Sequence, residues 1–402
     1  SRSCLPPFHP LSSVPQSKAM GVDCIDTNQT EYLHVSKAKL EEKDSNFVFD
    51  AKVLSQQGSI PRQFVWPDEE KPGPDAPEIL VPVVDLGKFL SGDPAEEERT
   101  IREVNDACQK HGFFLVVNHG VDCQLMEDSL GCMDDFFELP LQEKQRAQRK
   151  NGEHCGYASS FTGRFNSKLP WKETLSFRFS GGNCSKVVED YFRNTMGEDF
   201  DKFGTVYQKY CEAMNNLSLQ IMELLAMSLG VKRDHFRTFF EDNDSIMRLN
   251  YYPSCLNPDL TLGTGPHCDP TSLTILHQDQ VGGLQVLVDD VWRLVKPHAG
   301  AFVINIGDTF SALSNGKYKS CMHRAVVNQH TVRKSLAFFL SPSMEKIVCP
   351  PPELVDQNSP RMYPYFTWAM LLEFTQKHYR ADMNTLQTFS TWIRQKSLTG
   401  TV

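Results

Sequence analysis

The sequence predicts a mixed α/β protein, mainly β, with a double-stranded β-helix (jelly-roll) core and flanking α-helices. The main observation is that, from Ile246 onward, short apolar runs with a period of two are separated by turn residues. Several short strands at this spacing indicate a sandwich or barrel, and a double-sheet jelly roll fits them best. Helical spacing before and after this part predicts the flanking helices.

Shifts in composition divide the chain into regions. The polar, unperiodic start predicts disorder, and because the chain does not begin with Met, we expect residues 1–19 to be an extension before a natural start at Met20. The predicted regions are a disordered leader (1–45), an N-terminal α/β region with an extended arm and a substrate loop (46–190), long supporting helices (191–240), the jelly-roll core (241–345) and C-terminal helices (346–402).

Apolar periodicity gives the elements in order. Before the core we expect strands at Val81–Leu86 and Phe113–Val117, helices at Glu96–Lys110, Cys123–Phe137, Asp199–Leu229 and Asp234–Phe240, and a strand entered through a proline turn at Leu169–Phe177. The core strands are predicted at Met247–Tyr252, Leu273–Gln278, Leu284–Val288, Trp292–Val295, Phe302–Ile306, His323–Val327 and Leu336–Leu340.

Charge and cysteine usage narrow the functional classes. The net charge is -9 and Lys and Arg form no long block, which argues against nucleic acid or an anionic membrane as the main partner. There is no apolar run of about 18 residues and no secretory signal. The 12 cysteines are scattered, as in reduced cytosolic proteins. These features indicate a cytoplasmic protein; as separate expectations, the protein is a monomer and its partner is a small molecule.

Two histidines and one carboxylate form a candidate metal site. His267 and Asp269 lie two positions apart, so on a strand both would project to one face, and the intervening Cys268 would point away. With His323, they match the 2-His-1-carboxylate triad of non-haem Fe(II), which leaves positions open for O₂ and a chelating molecule. Zinc is the main rival metal, because its catalytic sites often have three protein ligands.

A second pair favours iron. Arg333 and Ser335 also share a face, and a guanidinium with a hydroxyl is a suitable receptor for a carboxylate. A dicarboxylate such as 2-oxoglutarate could bind Arg333 at one end and chelate the metal at the other. Asn250 and Tyr252 could add hydrogen bonds to this cosubstrate. A surface salt bridge for Arg333 and a core position for Tyr252 are the simpler alternatives.

These motifs occur together in one known family. The segments Asn250–Cys255, His267–Asp269, Asn305–Asp308, His323–Val327 and Arg333–Ser335 resemble those of plant 2-oxoglutarate- and Fe(II)-dependent dioxygenases. The resemblance covers about residues 46–400. Within the family, the Leu-Pro-Trp-Lys-Glu-Thr sequence at Leu169–Thr174 is most similar to the gibberellin 20-oxidases.

The resemblance implies an activity. His267, Asp269 and His323 would be the catalytic metal ligands for Fe(II), and 2-oxoglutarate would be the cosubstrate, with O₂ as oxidant and ascorbate as the expected reductant. The substrate would be a diterpenoid acid, a C20 gibberellin precursor. Its C-20 methyl would be oxidised in successive steps and lost, which gives C19 gibberellins.

The substrate pocket is the least specified part of the sequence. A rigid apolar acid needs aromatic walls and a cation, and the candidates are Tyr157, Phe161, Arg164, Leu169, Trp171 and Lys172. The alternative is that these residues only pack a long loop over the barrel. Two other functions also stay open: another gibberellin oxidase or a flavonoid-type dioxygenase, and a catalytically silent jelly-roll binding module.

Overall fold

Two β-sheets enclose the centre of the protein in this computed structural model, which describes residues 49–54, 57–73, 75–150, 152–160, 168–182, 186–378 and 384–398. The large sheet has the strand order β1-β2-β10-β7-β12-β5-β4-β3, and the small sheet has the order β6-β11-β8-β9. Their strands are β1 (Val83–Asp85), β2 (Phe113–Val117), β3 (Gly156–Ser159), β4 (Glu173–Ser180), β5 (Asp244–Tyr252), β6 (Thr264–His267), β7 (Leu273–Gln278), β8 (Leu284–Val288), β9 (Val291–Leu294), β10 (Phe302–Ile306), β11 (His323–Ala325) and β12 (Arg333–Leu340).

Helices cover the outer face of the large sheet. The longest, α7, buries residues such as Tyr210 and Met214 in the same cluster as the outward side chains of the sheet. The helices are α1 (Ala51–Leu54), α2 (Leu86–Phe89), α3 (Pro94–Lys110), α4 (Cys123–Glu138), α5 (Leu141–Lys144), α6 (Val187–Met196), α7 (Asp201–Ser228), α8 (His235–Phe239), α9 (Asp308–Leu313), α10 (Trp368–Lys377) and α11 (Thr385–Leu398). A hairpin of β13 (Ile347–Val348) and β14 (Phe366–Thr367) precedes α10. None of the helices within these described ranges combines the length and apolarity needed to cross a membrane.

Because side chains alternate along each strand, the large sheet has a separate hydrophobic cluster on each of its two faces. On β12, Leu336, Phe338 and Leu340 face the helices, whereas Ala337 belongs to the cluster between the two sheets. This second cluster joins β7, β10 and β12 of the large sheet to β8 of the small one. Because successive side chains point to opposite faces, the large sheet is buried on both sides, and its inward side chains are available to line a site.

The jelly-roll core with flanking helices is confirmed. The strands at Phe113–Val117, Leu273–Gln278, Leu284–Val288 and Phe302–Ile306 have the predicted bounds. The predicted regional limits stay a prediction, although β1 to β4, from the N-terminal region, hydrogen-bond into the same large sheet as the core strands. The predicted leader (1–45) lies outside the described residues.

Several elements did not appear in the sequence prediction. Strand β6 contains Gly265 and Pro266, which do not favour a strand, and it forms because it pairs with β11. Helix α9 is buried on all sides, so it lacks an amphipathic period. The others are β3, α6, the short helices α1, α2 and α5, and the β13–β14 hairpin.

A buried ion pair connects β4 to the helical layer. The Lys144 Nζ lies 2.7 Å from the Glu173 Oε1, and both side chains are almost fully buried. The Tyr157 hydroxyl on β3 donates to the same carboxylate oxygen, and Lys144 also donates to the Phe137 carbonyl. Burial raises the pKa of Glu173, and the neighbouring Lys144 ammonium opposes that shift.

We expect Glu173→Gln to lower the free energy of unfolding by about 3 kcal/mol, because it leaves the Lys144 charge buried without its counter-charge. Glu143→Gln is the control, since its pair with Arg146 is half exposed and should contribute less than about 1 kcal/mol. Urea unfolding of both variants measures the difference. Equal losses would show that the buried pair does not stabilise β4 in this way.

Candidate active site

Strand pairing brings the three predicted metal ligands together. His267 ends β6 and His323 begins β11, and the two are direct partners in the antiparallel ladder. The Asp269 carboxylate lies 3.6 Å from the His267 Nε2 and 3.9 Å from the His323 Nε2. All three potential ligand atoms lie within 4.8 Å of one another. Atoms that bind one ion at roughly 2.1 Å are about 3–4 Å apart, so the cluster fits a single metal ion.

The expected reason for the Asp269 orientation was wrong. Strand β6 ends at His267, so Asp269 lies in the following loop and strand alternation does not orient it. Instead, the Thr274 hydroxyl donates to the Asp269 Oδ2 at 2.6 Å, and the Asp308 backbone N–H donates to its carbonyl. The loop also packs on Gly307, where a Cβ would come within 2.0 Å of the Thr271 carbonyl oxygen.

Backbone carbonyls set the tautomer of both histidines. The His267 Nδ1 lies 2.9 Å from the Gly265 carbonyl oxygen, and the His323 Nδ1 lies 3.1 Å from that of Cys321. A carbonyl only accepts, so each Nδ1 carries the proton and each Nε2 presents its lone pair to the cluster. Such contacts orient metal-binding imidazoles.

Burial and neighbouring groups shift the pKa values of the metal ligands. Burial, together with the nearby His323, lowers the pKa of His267 to about 4, so its imidazole is neutral at pH 7. Burial alone would raise the pKa of Asp269, but the two histidines and the Thr274 hydroxyl outweigh it and lower the pKa. A neutral imidazole and an ionised carboxylate are the forms that bind a metal.

The predicted cosubstrate residues also converge. In the β5–β12 ladder, Arg333 opposes Tyr252 and Ser335 opposes Asn250, so all four face the interior. Arg333 is only 1% exposed. Its Nη2 donates to the Gln278 Oε1 at 3.1 Å, and the guanidinium lies 5.0 Å from the centre of the Tyr252 ring.

The Arg333 guanidinium keeps a donor for an anion. Its Nε is buried and has no hydrogen-bond partner among the described residues. Burial of a cation with an unused hydrogen-bond donor is unfavourable in free energy unless an anion accepts that hydrogen bond. The site therefore fits the distal carboxylate of 2-oxoglutarate, with the Ser335 hydroxyl beside it.

One cavity of about 580 Å³ connects the metal ligands with the four cosubstrate residues. Lys172 also lines it, and its Nζ donates to the Thr264 hydroxyl at 2.9 Å. Burial, together with the nearby Arg248, lowers the pKa of Lys172 well below its usual value. The lowered pKa favours the neutral amine of Lys172, so the positive charge of the cavity comes from the guanidinium groups of Arg248 and Arg333.

The other predicted substrate residues are placed differently. Tyr157 is buried among residues facing the helices and contacts Glu173. Leu169 and Trp171 lie in a separate apolar cluster. None of these three lines the cavity. Phe161 and Arg164 lie outside the described residues.

Sequence reasoning missed two polar residues of β7. Thr274 contacts Asp269, and Gln278 contacts Arg333. They lie four positions apart, on one face of a strand that is otherwise mostly apolar. Polar residues at even spacing in a buried strand were the available signal.

A jelly roll with this triad and a buried arginine defines the class of non-haem Fe(II) oxygenases that use 2-oxoglutarate. The sequence profile of the 2OG-Fe(II) oxygenase superfamily matches residues 243–342. The profile of the N-terminal region of the non-haem dioxygenase in morphine synthesis matches residues 81–195. The crystal structure of JOX2 in complex with 2OG, Fe and JA is similar, with a TM-score of 0.73 and 31% identity, over 86% of this chain and 98% of that one.

Relatives with higher sequence identity show to which family within this class the chain belongs. Gibberellin 20 oxidase 2 of Arabidopsis thaliana is 60% identical over 376 residues, which cover 93% of this chain and 98% of the relative. Gibberellin 20 oxidase 1-D of Triticum aestivum is 64% identical over 350 residues, 87% of this chain and 97% of the relative. The chain therefore belongs to the gibberellin 20-oxidase family. It is a dioxygenase whose cofactors are Fe(II) and 2-oxoglutarate, with O₂ as the oxidant.

We expect His323→Ala to abolish turnover and to weaken metal binding more than tenfold, because the triad loses one of its three ligands. Anaerobic titration calorimetry with Fe(II) measures this without catalysis. His298→Ala is the control, since His298 is exposed and lies outside the cluster. Unchanged Fe(II) affinity in His323→Ala would contradict the assignment.

We expect Arg333→Ala to raise the apparent KM for 2-oxoglutarate by roughly tenfold to a hundredfold, the size of a lost charge-assisted hydrogen bond. Ser335→Ala should have a smaller effect, about fivefold. Lys334→Ala is the matched control, because Lys334 points to the other face and pairs with Asp134 at 2.6 Å. If Lys334→Ala raised the KM as much as Arg333→Ala, the carboxylate receptor would be misplaced.

Proposed function

We propose that this protein oxidises the C-20 methyl of C20 gibberellin precursors in successive steps and removes C-20 to give C19 gibberellins, as part of gibberellin biosynthesis. The observation that carries the proposal is identity of about 60% with gibberellin 20 oxidases across nearly the whole chain. An assembled metal cluster and carboxylate receptor support it.

The roles of the residues follow from their placement. His267, Asp269 and His323 would hold Fe(II), and Arg333 with Ser335 would bind the distal carboxylate of 2-oxoglutarate. Asn250 and Tyr252 would add hydrogen bonds to the same molecule. When bound, the iron and its cosubstrate supply the activation of O₂ and the oxidation of a C–H bond.

The chain contributes orientation and exclusion of water. The ladder partners His267 and His323 determine where the metal sits, and the β5–β12 ladder determines where the cosubstrate sits. The cosubstrate would therefore span a fixed distance inside the cavity. The remaining cavity volume, with the Lys172 Nζ as a hydrogen-bond donor, suits an apolar molecule that carries a carboxylate.

The proposal also covers the location, the oligomeric state and the reductant of the protein. We propose a cytoplasmic monomer that does not act on nucleic acid, with ascorbate as reductant. The net charge of -9 supports the exclusion of nucleic acid. The cysteines that the structure describes are free thiols, which suits a reducing compartment.

The decisive experiment is mass spectrometry of the products formed from a C20 gibberellin acid with Fe(II), 2-oxoglutarate, O₂ and ascorbate. We expect alcohol, aldehyde and C19 products to appear in sequence, each with release of succinate. His323→Ala provides the inactive control.

Other outcomes identify the alternative functions. Oxidation at another carbon would indicate another gibberellin oxidase, and turnover of flavonoids alone would indicate a flavonoid-type dioxygenase. Absence of Fe(II) binding and of 2-oxoglutarate decarboxylation would indicate a silent jelly-roll binding module.

A further inference from the structure

A segment far from the metal ligands in sequence forms part of the cavity wall. We call Ile60–Trp66 the arm; it includes a single 3-10 turn at Arg62–Phe64. The arm lies outside the residues that match either family profile, 81–195 and 243–342. Its last residue, Trp66, lines the same cavity as His267 and Lys172. This wall is therefore not part of the machinery described by the general profiles.

Hydrogen bonds fix the arm on two sides. The Trp66 backbone N–H donates to the Leu260 carbonyl at 3.0 Å, and the Leu169 N–H donates to the Gln63 carbonyl at 2.9 Å. The Trp66 indole Nε1 also donates to the Leu169 carbonyl at 3.4 Å. The indole is thus held by its backbone and by its ring nitrogen, and its orientation is defined.

An aromatic cluster anchors the arm through Phe64. Phe64 and Phe49 each meet the Trp171 ring edge-to-face, with ring centres 5.2 Å apart. Because Trp171 is used in this cluster and does not line the cavity, it serves as the anchor of the arm. Trp66, in contrast, lines the cavity together with Tyr252 and Phe339.

The indole lies directly against the strand that carries a metal ligand. A Cβ at Gly265 would come within 2.3 Å of the Trp66 Cη2, so only glycine permits this contact. All three of the atoms nearest to that Cβ position belong to the indole. Gly265 is also the residue whose carbonyl orients His267. Trp66 therefore borders the space next to the metal ligands.

We propose that Trp66 is a specificity-determining residue, whose indole is the wall against which the rigid apolar skeleton of the substrate packs beside the metal. The proposal rests on the proposed function. A fixed indole offers a large apolar surface at little entropic cost, because it has few rotatable bonds and is already ordered. The Lys172 Nζ, in the same cavity, is a hydrogen-bond donor available to the substrate's carboxylate.

The first test compares the binding of two ligands. Titration calorimetry under argon, with Fe(II) and 2-oxoglutarate present, gives the Kd of a C20 gibberellin acid. A second titration, with Fe(II) alone, gives the Kd of 2-oxoglutarate. Trp66→Ala should weaken gibberellin binding by roughly tenfold to a hundredfold, the loss expected for one large apolar contact, and change 2-oxoglutarate binding less than about twofold.

A matched control distinguishes the loss of the Trp66 contact from a general loss of stability. Trp392→Ala also removes a tryptophan, but this residue packs on Phe389 in the C-terminal helices and should leave both Kd values unchanged. Equal weakening of both ligands in Trp66→Ala would mean that Trp66 only supports the fold, which overturns the proposal. Wild-type gibberellin affinity in Trp66→Ala also overturns it.

A double-mutant cycle with Gly265 tests the contact itself. Gly265→Ala should displace the indole and weaken gibberellin binding about as much as Trp66→Ala does. In the Trp66→Ala background, adding Gly265→Ala should change the Kd less than about twofold, because the clashing ring is gone. Additive losses would overturn the proposal. If Trp66→Ala does not fold, Trp66→Leu replaces it in the cycle.

Measurements on the wild-type protein distinguish failure of the Trp66 assignment from failure of the proposed function. If the wild type binds 2-oxoglutarate but not the gibberellin acid, the proposed function fails, and the assignment of Trp66 falls with it. If the wild type binds and oxidises the gibberellin and Trp66→Ala does so equally well, only the assignment of Trp66 fails.

Discussion

The pairing of β6 with β11 is the constraint on which the active site depends. It places His267 and His323 opposite each other, and backbone carbonyls then direct both Nε2 atoms to one point. The two ligands come from strands 56 residues apart in sequence, so they meet only when the small sheet has formed. Metal binding should therefore report on completion of the fold, since a site that forms only in the native state couples its binding energy to folding.

Side-chain chemistry and spacing predicted which residues the structure brings together in the metal cluster and around Arg333. His267, Asp269, Arg333 and Ser335 each have few alternatives once they occur at i, i+2 with a distant histidine, because each ligand type demands its own chemistry. The alternation of β12 was predictable for the same reason. The orientation of Asp269 was not, because it depends on Thr274 and on close packing at Gly307, contacts between segments that a local pattern does not contain.

The substrate wall was harder to predict. An apolar residue in a cavity and one in a core have the same local pattern, so Leu169 and Trp171 were indistinguishable from Trp66 in sequence. Tertiary contacts separate them: Trp171 meets Phe49 and Phe64, whereas Trp66 reaches the cavity. Strand β6 was missed for a related reason, because its partner β11, and not its own Gly and Pro content, makes it a strand.

The position of the arm outside both matched profiles has an evolutionary consequence. Oxidation chemistry is encoded within residues 243–342, and the arm's contribution to the pocket is encoded before residue 81. A mutation in the arm can therefore alter which molecule is accepted while leaving the iron ligands untouched. Selection can act on the two stretches independently, and descendants of one ancestral oxygenase can diverge in substrate while their reaction type is inherited unchanged.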